Sequence, residues 1–170
     1  MANKATHSKR KLYERLHVSF LDLGLARQYA AHLIKNWWHS APYERRGSIY
    51  MQQSAFTTSL VVSYARPFKG SRGWPPFPKE FWQYDQAQCA LHAHLIGLRD
   101  QVYAHSDSSR YTVKPWRINA DLLTDIEGVP FLRLSKAECE LVVSMINCIQ
   151  RLLGPRLKVL RSELADGNET

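Results

Sequence analysis

The chain has 170 residues, 23 Lys plus Arg against 15 Asp plus Glu, a formal net charge of +8 and 45% hydrophobic residues. That length and balance fit one globular domain with a single sizeable core and exclude a disordered or collagen-like chain. No run approaches the roughly 20 apolar residues that span a bilayer, so no membrane partner is expected. The excess of cations either favours a polyanion, through long-range attraction and counterion release, or is an ordinary solvated basic surface.

The three cysteines, Cys89, Cys139 and Cys148, are odd in number and widely spaced. They make neither a disulfide framework nor a zinc pattern, and a reducing cytoplasm is the simplest setting for them. The opening MANKATHSKRKLYERLH is basic, without the apolar stretch and cleavage site of a signal peptide. Residues 1–18 are therefore set apart as a basic segment with a tendency to disorder, residues 19–165 as one helical domain and residues 166–170 as a mobile tail.

In chain order, a first helix is expected from Asp22, as its N-cap, to about His39. Leu25, Tyr29, Leu33 and Trp37 form its apolar stripe, and Ala41-Pro42 breaks it. A second runs from about Tyr43 to Ala65, with Met51, Phe56, Leu60 and Val61 as its apolar residues, and stops before Pro67. Residues 67–80, PFKGSRGWPPFPKE, are too long for a simple connector. Their cations and aromatics suit either a ligand or a loop pinned onto the core by Trp74 and Phe77, and the pinned loop is the preferred reading.

The third helix opens on a capping box, Asp85-x-x-Gln88. Leu91, Leu95, Leu98 and Val102 recur at helical spacing, and the helix frays near Ala104, before the turn residues Ser106–Ser109. Tyr111–Ile118 and Val129–Leu134 read as two short strands of a hairpin, with Glu127-Gly128 in the turn before the second. A second capping box, Ser135-x-x-Glu138, with Leu134 and Cys139 as its hydrophobic staple, opens the fourth helix. Val142, Ile146, Ile149 and Leu153 lie on one face of that helix, and Gly154-Pro155 is expected to kink or split it. The fold class is thus mainly all-α: an up-and-down bundle of four main helices with a small β-hairpin before the last.

The chemistry concentrates in Arg99-Asp100-Gln101-Val102-Tyr103-Ala104-His105, at the end of the third helix. Arginine can grip and neutralise a phosphate, and histidine can move a proton near neutral pH. The plain alternatives are an arginine favoured by the helix dipole and a histidine bonded to a free carbonyl. At about 100° per residue, positions 99 and 105 lie about 120° apart, so they converge only if the last turn is irregular or the long arginine reaches around. Arg99, Tyr103 and His92 share a face beside the apolar stripe, where a second subunit has room to dock. His92 and His94 point about 200° apart and cannot share a metal, and no Glu-x-x-His pair, Gly-rich phosphate loop or Ser/His/Asp arrangement is present. No metal and no organic cofactor is expected.

The stretch LRDQVYAHSD resembles the Arg-x4-6-His signature of HEPN-domain proteins, and ALHAHLIGLRDQVYAHSD with the earlier YARPF is similar to a bacterial, abortive-infection-like subgroup of them. The resemblance covers about residues 20–160 in architecture and residues 87–107 in specific motif. It implies an all-α homodimer whose two motifs face each other across a cleft and form a metal-independent ribonuclease site. Arg99 and His105 then match the catalytic pair, and Asp100 matches the polar position after the arginine. Arg66, Lys69, Arg72 and Tyr103 are the candidate RNA-binding residues. The partners implied are RNA, a second copy and an antitoxin protein, in a defence or toxin–antitoxin system. The hairpin and the loop 67–80 are not general HEPN features, and some members of the superfamily bind without cleaving. The competing reading is therefore a non-catalytic helical module for RNA, nucleotide or a partner protein, and a third is a structural dimer sealed by the motif.

Overall fold

The computed structural model describes residues 2–41, 44–103, 112–119, 123–128 and 133–166. They are mainly helical: α1 (Ala2–Lys35), α2 (Gly47–Ala65), α3 (Gln86–Leu98) and α4 (Lys136–Asp166), with two strands, β1 (Thr112–Arg117) and β2 (Leu123–Gly128), before the last helix. Short 3₁₀ turns at Arg66–Phe68 and Lys79–Phe81 bracket the α2–α3 loop.

α1 begins at Ala2 rather than near Asp22, so the basic opening is the first half of a helix about 50 Å long. Besides Arg15, its buried residues are Leu16, Ser19, Leu23, Ala26, Ala30 and Leu33, alternating three and four apart. Of the expected stripe, Leu33 is buried and Tyr29 packs against the core, whereas Leu25 lies one residue off the buried line and Trp37 lies beyond the helix end, and both are exposed. Asp22 sits in mid-helix and accepts from Arg66. α4 lies antiparallel along α1: Lys9 pairs with Glu163, Arg161 donates to Tyr13, Gln150 to the Phe20 carbonyl and Arg27 to Asn147. α2 returns antiparallel on another side of α1, with Phe56 against Tyr29 and His32.

α1 stops at Lys35, before the expected Ala41-Pro42 break. Trp38 N–H donates to the Leu33 carbonyl at 2.9 Å and Trp37 N–H to the Ile34 carbonyl at 3.2 Å. These two bonds make a Schellman motif with Trp37 at the left-handed position, φ 58°. A side chain there costs about 1–2 kcal/mol, which glycine avoids. Trp37→Gly is therefore expected to raise stability by about 0.5–1 kcal/mol after its extra unfolded-state entropy is subtracted, whereas Trp37→Ala is not. Urea unfolding midpoints check this, and equal loss from both substitutions argues that the ring's contacts with His39 and Lys136 dominate.

Both expected capping boxes form. The Asp85 carboxylate accepts from Gln88 N–H, and the Gln88 side chain accepts from Asp85 N–H. Ser135 and Glu138 exchange the same pair of bonds. The staple residues Leu134 and Cys139 are buried in the common core. Burial pushes the Cys139 thiol up to about 12, so it is a packing group rather than a nucleophile.

α4 is not split at Gly154-Pro155. Pro155 faces solvent, where the carbonyl deprived of its N–H partner is open to water. Leu153, Leu157 and Leu160, on the other side, hold the helix to the core. The turn expected at Glu127-Gly128 is also corrected. β1 pairs antiparallel with Leu123–Gly128, Val113 opposite Glu127 and Trp116 opposite Thr124, so Glu127-Gly128 is strand rather than turn. Of the expected strand Val129–Leu134, residues 129–132 lie outside the described residues, and Leu134 joins the core as the staple residue of α4. The described hairpin residues are exposed.

Candidate functional site

The end of α3 carries the residues singled out by the motif. After Leu98 the backbone leaves α geometry and makes a π turn over Arg99–Tyr103. Such single π turns are rare and recur at functional sites. The last turn is thus irregular, as convergence of Arg99 with residue 105 requires. His105 itself lies outside the described residues. Tyr103 contributes its backbone to the π turn, and its side chain lies outside the described part.

Three of the predicted residues meet. Arg99 Nη1 donates to Asp100 Oδ1 at 2.9 Å, and the Lys69 ammonium donates to the other carboxylate oxygen. All three side chains are about one third exposed. The hydrogen bond from Lys69, reinforced by Arg99, holds the Asp100 carboxyl below the usual carboxylate range. The cluster therefore persists at neutral pH and is lost only as the medium acidifies through that lowered value. One carboxylate between two cations leaves a net positive site, as an approaching phosphate requires.

The other two candidates stand apart from this cluster. Arg66 is the C-cap residue of α2 and pairs with Asp22 at 3.2 Å, on a mostly exposed side chain. Arg72 is exposed on the loop, with no carboxylate partner among the described residues.

Lys69 is placed by a residue the sequence did not flag. Arg15, on α1, is 4% exposed. Its guanidinium donates to the Pro67 carbonyl at 2.6 Å, the Lys69 carbonyl at 2.8 Å and the Ser71 hydroxyl at 3.3 Å. It also lies 5.9 Å from the Trp74 ring centre, and the Trp74 indole N–H donates to Glu14. Phe77, 7% exposed, joins the core. The pinned-loop reading of residues 67–80 therefore holds, and the same pinning delivers Lys69 to Asp100. No carboxylate bonds directly to Arg15 among the described residues, and burial lowers its pKa.

His92 is engaged within its own chain rather than offered to a second subunit. Its ring sits among Tyr64, Phe68, Trp82 and Tyr84. Nδ1 is 2.9 Å from the Tyr64 hydroxyl, which is 3.1 Å from that of Tyr84. Burial pushes the Tyr84 hydroxyl up to about 12 and Tyr64 further, so both stay protonated. The chain closes when Tyr84 donates to Tyr64 and Tyr64 to His92 Nδ1, which puts the histidine proton on Nε2. Burial, helped by the nearby Lys69 charge, lowers the His92 pKa.

The unfolded chain thus binds a proton at His92 at higher pH than the folded chain. Stability is full above the ordinary histidine value, falls as pH drops through it and levels off below the lowered value. Thermal unfolding between pH 8 and about pH 5 is expected to show this slope. His92→Gln is expected to flatten it, and an unchanged slope in that variant assigns the effect elsewhere.

Two cavities flank α3. A groove of about 440 Å³ between α3 and α4 is lined by Ala87, Ala90, Leu91, His94, Ala137, Glu138 and Leu141 and carries no lysine or arginine. A pocket of about 360 Å³ under the α2–α3 loop carries Lys69 and Lys79 among aromatic rings. A polyanion is suited to the second rather than the first. Among the described residues no His, Cys, Asp and Glu group is arranged to hold a metal, and no helix is long and apolar enough to cross a membrane. No protein-family model matches the chain, and no curated protein and no solved structure matches it.

Proposed function

We propose that the protein is a metal-independent RNA endonuclease of HEPN type, acting as a homodimer in a defence or toxin–antitoxin system. The observation that carries this reading is the Lys69–Asp100–Arg99 cluster, net positive and about one third exposed, at a π turn six residues or fewer before His105 in the sequence. In this reading His105 takes the proton of a ribose 2′-hydroxyl, or protonates the departing 5′-oxygen. Arg99 neutralises the charge that builds on phosphorus, and Asp100 holds Arg99 in place. The products are a 2′,3′-cyclic phosphate and a 5′-hydroxyl.

The test is cleavage of RNA in EDTA by the wild type, Arg99→Ala and His105→Ala, each first checked for folding and for dimerisation by sedimentation. Cleavage by the wild type alone, with cyclic phosphate ends, is expected. A wild type that is monomeric at micromolar concentration, or variants that cleave equally well, overturns the reading. One observation favours a second reading, a helical module that binds RNA, nucleotide or a partner protein without cutting: the Arg99 guanidinium is already bonded to Asp100. It predicts binding that survives His105→Ala and no cleavage by any of the three proteins.

A further inference from the structure

The α2–α3 loop and the 3₁₀ turn after it wall a pocket of about 360 Å³. Phe68, Trp74, Phe77 and Trp82 supply aromatic rings, Lys69 and Lys79 supply ammonium groups, and no carboxylate lines it. The volume is at the small end of ligand pockets, enough for one flat heterocycle and its sugar but not for a duplex. The pocket is preformed. Arg15 ties the backbone of residues 67–71 to α1 from beneath, and Phe77 and Phe81 anchor the far side in the core.

One further feature places a guest beside the candidate site. Lys69 both lines the pocket and reaches Asp100, so a group seated there lies beside the Arg99 cluster.

We propose that this pocket binds a single nucleotide, with the base against its aromatic rings and the phosphate between Lys69 and Lys79. Aromatic faces accept any base by stacking, and lysines supply the charge for a phosphate. The same chemistry is offered by a free nucleoside monophosphate and by one unpaired nucleotide of an RNA strand. The second source rests on the RNA reading above and makes the pocket the seat of the nucleotide next to the one that reacts. The first does not depend on it.

The experiment is calorimetric titration of the full chain with 5′-AMP, 5′-CMP, inorganic phosphate and a 2′-O-methyl RNA hexamer, which has no free 2′-hydroxyl to react. Binding of the nucleotides or the hexamer is expected, with inorganic phosphate much weaker because it has no base. Trp74→Ala and Lys79→Ala are each expected to weaken that binding about ten-fold, and Leu152→Ala, on the exposed side of α4, to leave it unchanged. Lys79 is exposed, so its substitution tests the pocket even if Trp74→Ala loosens the loop.

Binding of the hexamer alone assigns the pocket to RNA, and binding of the mononucleotides at similar strength assigns it to a free ligand. No saturation by any probe up to about 5 mM, or binding indifferent to both substitutions, overturns the proposal. A protein that binds through Trp74 and Lys79 but cuts no RNA removes the endonuclease reading and keeps the pocket. One that cuts RNA with both residues replaced, at unchanged KM, removes RNA as the pocket's source, and the proposal then stands or falls on the mononucleotide titrations.

Discussion

Arg15→Ala is expected to lower stability by about 2–4 kcal/mol and to free the α2–α3 loop. Three hydrogen bonds from a charged donor are lost, two of them to carbonyls of a loop that has few other backbone partners among the described residues. The loss is less than their sum because a buried cation carries a desolvation cost, which the lowered Arg15 pKa reports. In a chain of this size that corresponds to a melting point lower by roughly 5–15 °C. Arg15→Lys keeps the charge but cannot present a planar fork to several acceptors, so it falls between the two.

Limited trypsin digestion gives an independent readout, because Lys69, Arg72 and Lys79 all lie on the freed segment. Cleavage there is expected to accelerate well before global unfolding. A change below about 0.5 kcal/mol with an unaltered digestion pattern would show that Phe77 and Phe81 hold the loop without Arg15.

What was legible in the sequence followed local rules. The capping boxes at Asp85 and Ser135 could be read because they join residues three apart, and Val142, Ile146, Ile149 and Leu153 were found by spacing. α1 was misread for a physical reason. Its stripe includes Ser19, Ala26 and Ala30, small residues that let α4 and α2 approach closely but carry little apolar signal. Leu33 and Tyr29 lie on the buried side as their spacing requires, whereas the larger Leu25 is one residue off it and Trp37 lies past the helix end. The helix end at Lys35 was hidden because a tryptophan occupies the position that glycine normally marks. The strand Leu123–Gly128 was missed because it is exposed, and its Asp, Glu and Gly read as a turn.

At the candidate site, Arg99 and Asp100 were found as a local motif, whereas the contact of Asp100 with Lys69 spans 31 residues and depends on Arg15 of a third element. Nothing in the neighbourhood of Arg15 sets it apart from the other cations of a basic helix. Only the fold makes it buried.

On the proposed endonuclease reading, Arg99→Ala is expected to reduce RNA cleavage by about 10²–10³-fold in kcat, with little change in KM. The cost in stability is expected to stay below about 1 kcal/mol, because the ion pair with Asp100 is roughly a third exposed and screened. An arginine that merely caps a helix end gives the opposite pattern, a small loss of stability and unchanged cleavage by whatever agent cuts. Asp100→Asn separates two further roles. If Asp100 positions Arg99, the amide still accepts one hydrogen bond, and kcat falls about ten-fold while the folded state is kept.

If Asp100 instead withholds Arg99 from the phosphate, removing its charge frees two cations at once, and RNA binds more tightly with a steeper dependence on salt. Lys69→Ala decides between these. Lys69 also faces the proposed pocket, so its loss weakens binding in either case and kcat is the readout: a positioning carboxylate left to Arg99 alone becomes no worse at its task, whereas a withholding one grips Arg99 harder and lowers kcat. We expect the positioning outcome, because Lys69 already shares the carboxylate and leaves Arg99 only one of its two oxygens. The remaining guanidinium N–H groups are then free to meet the phosphate.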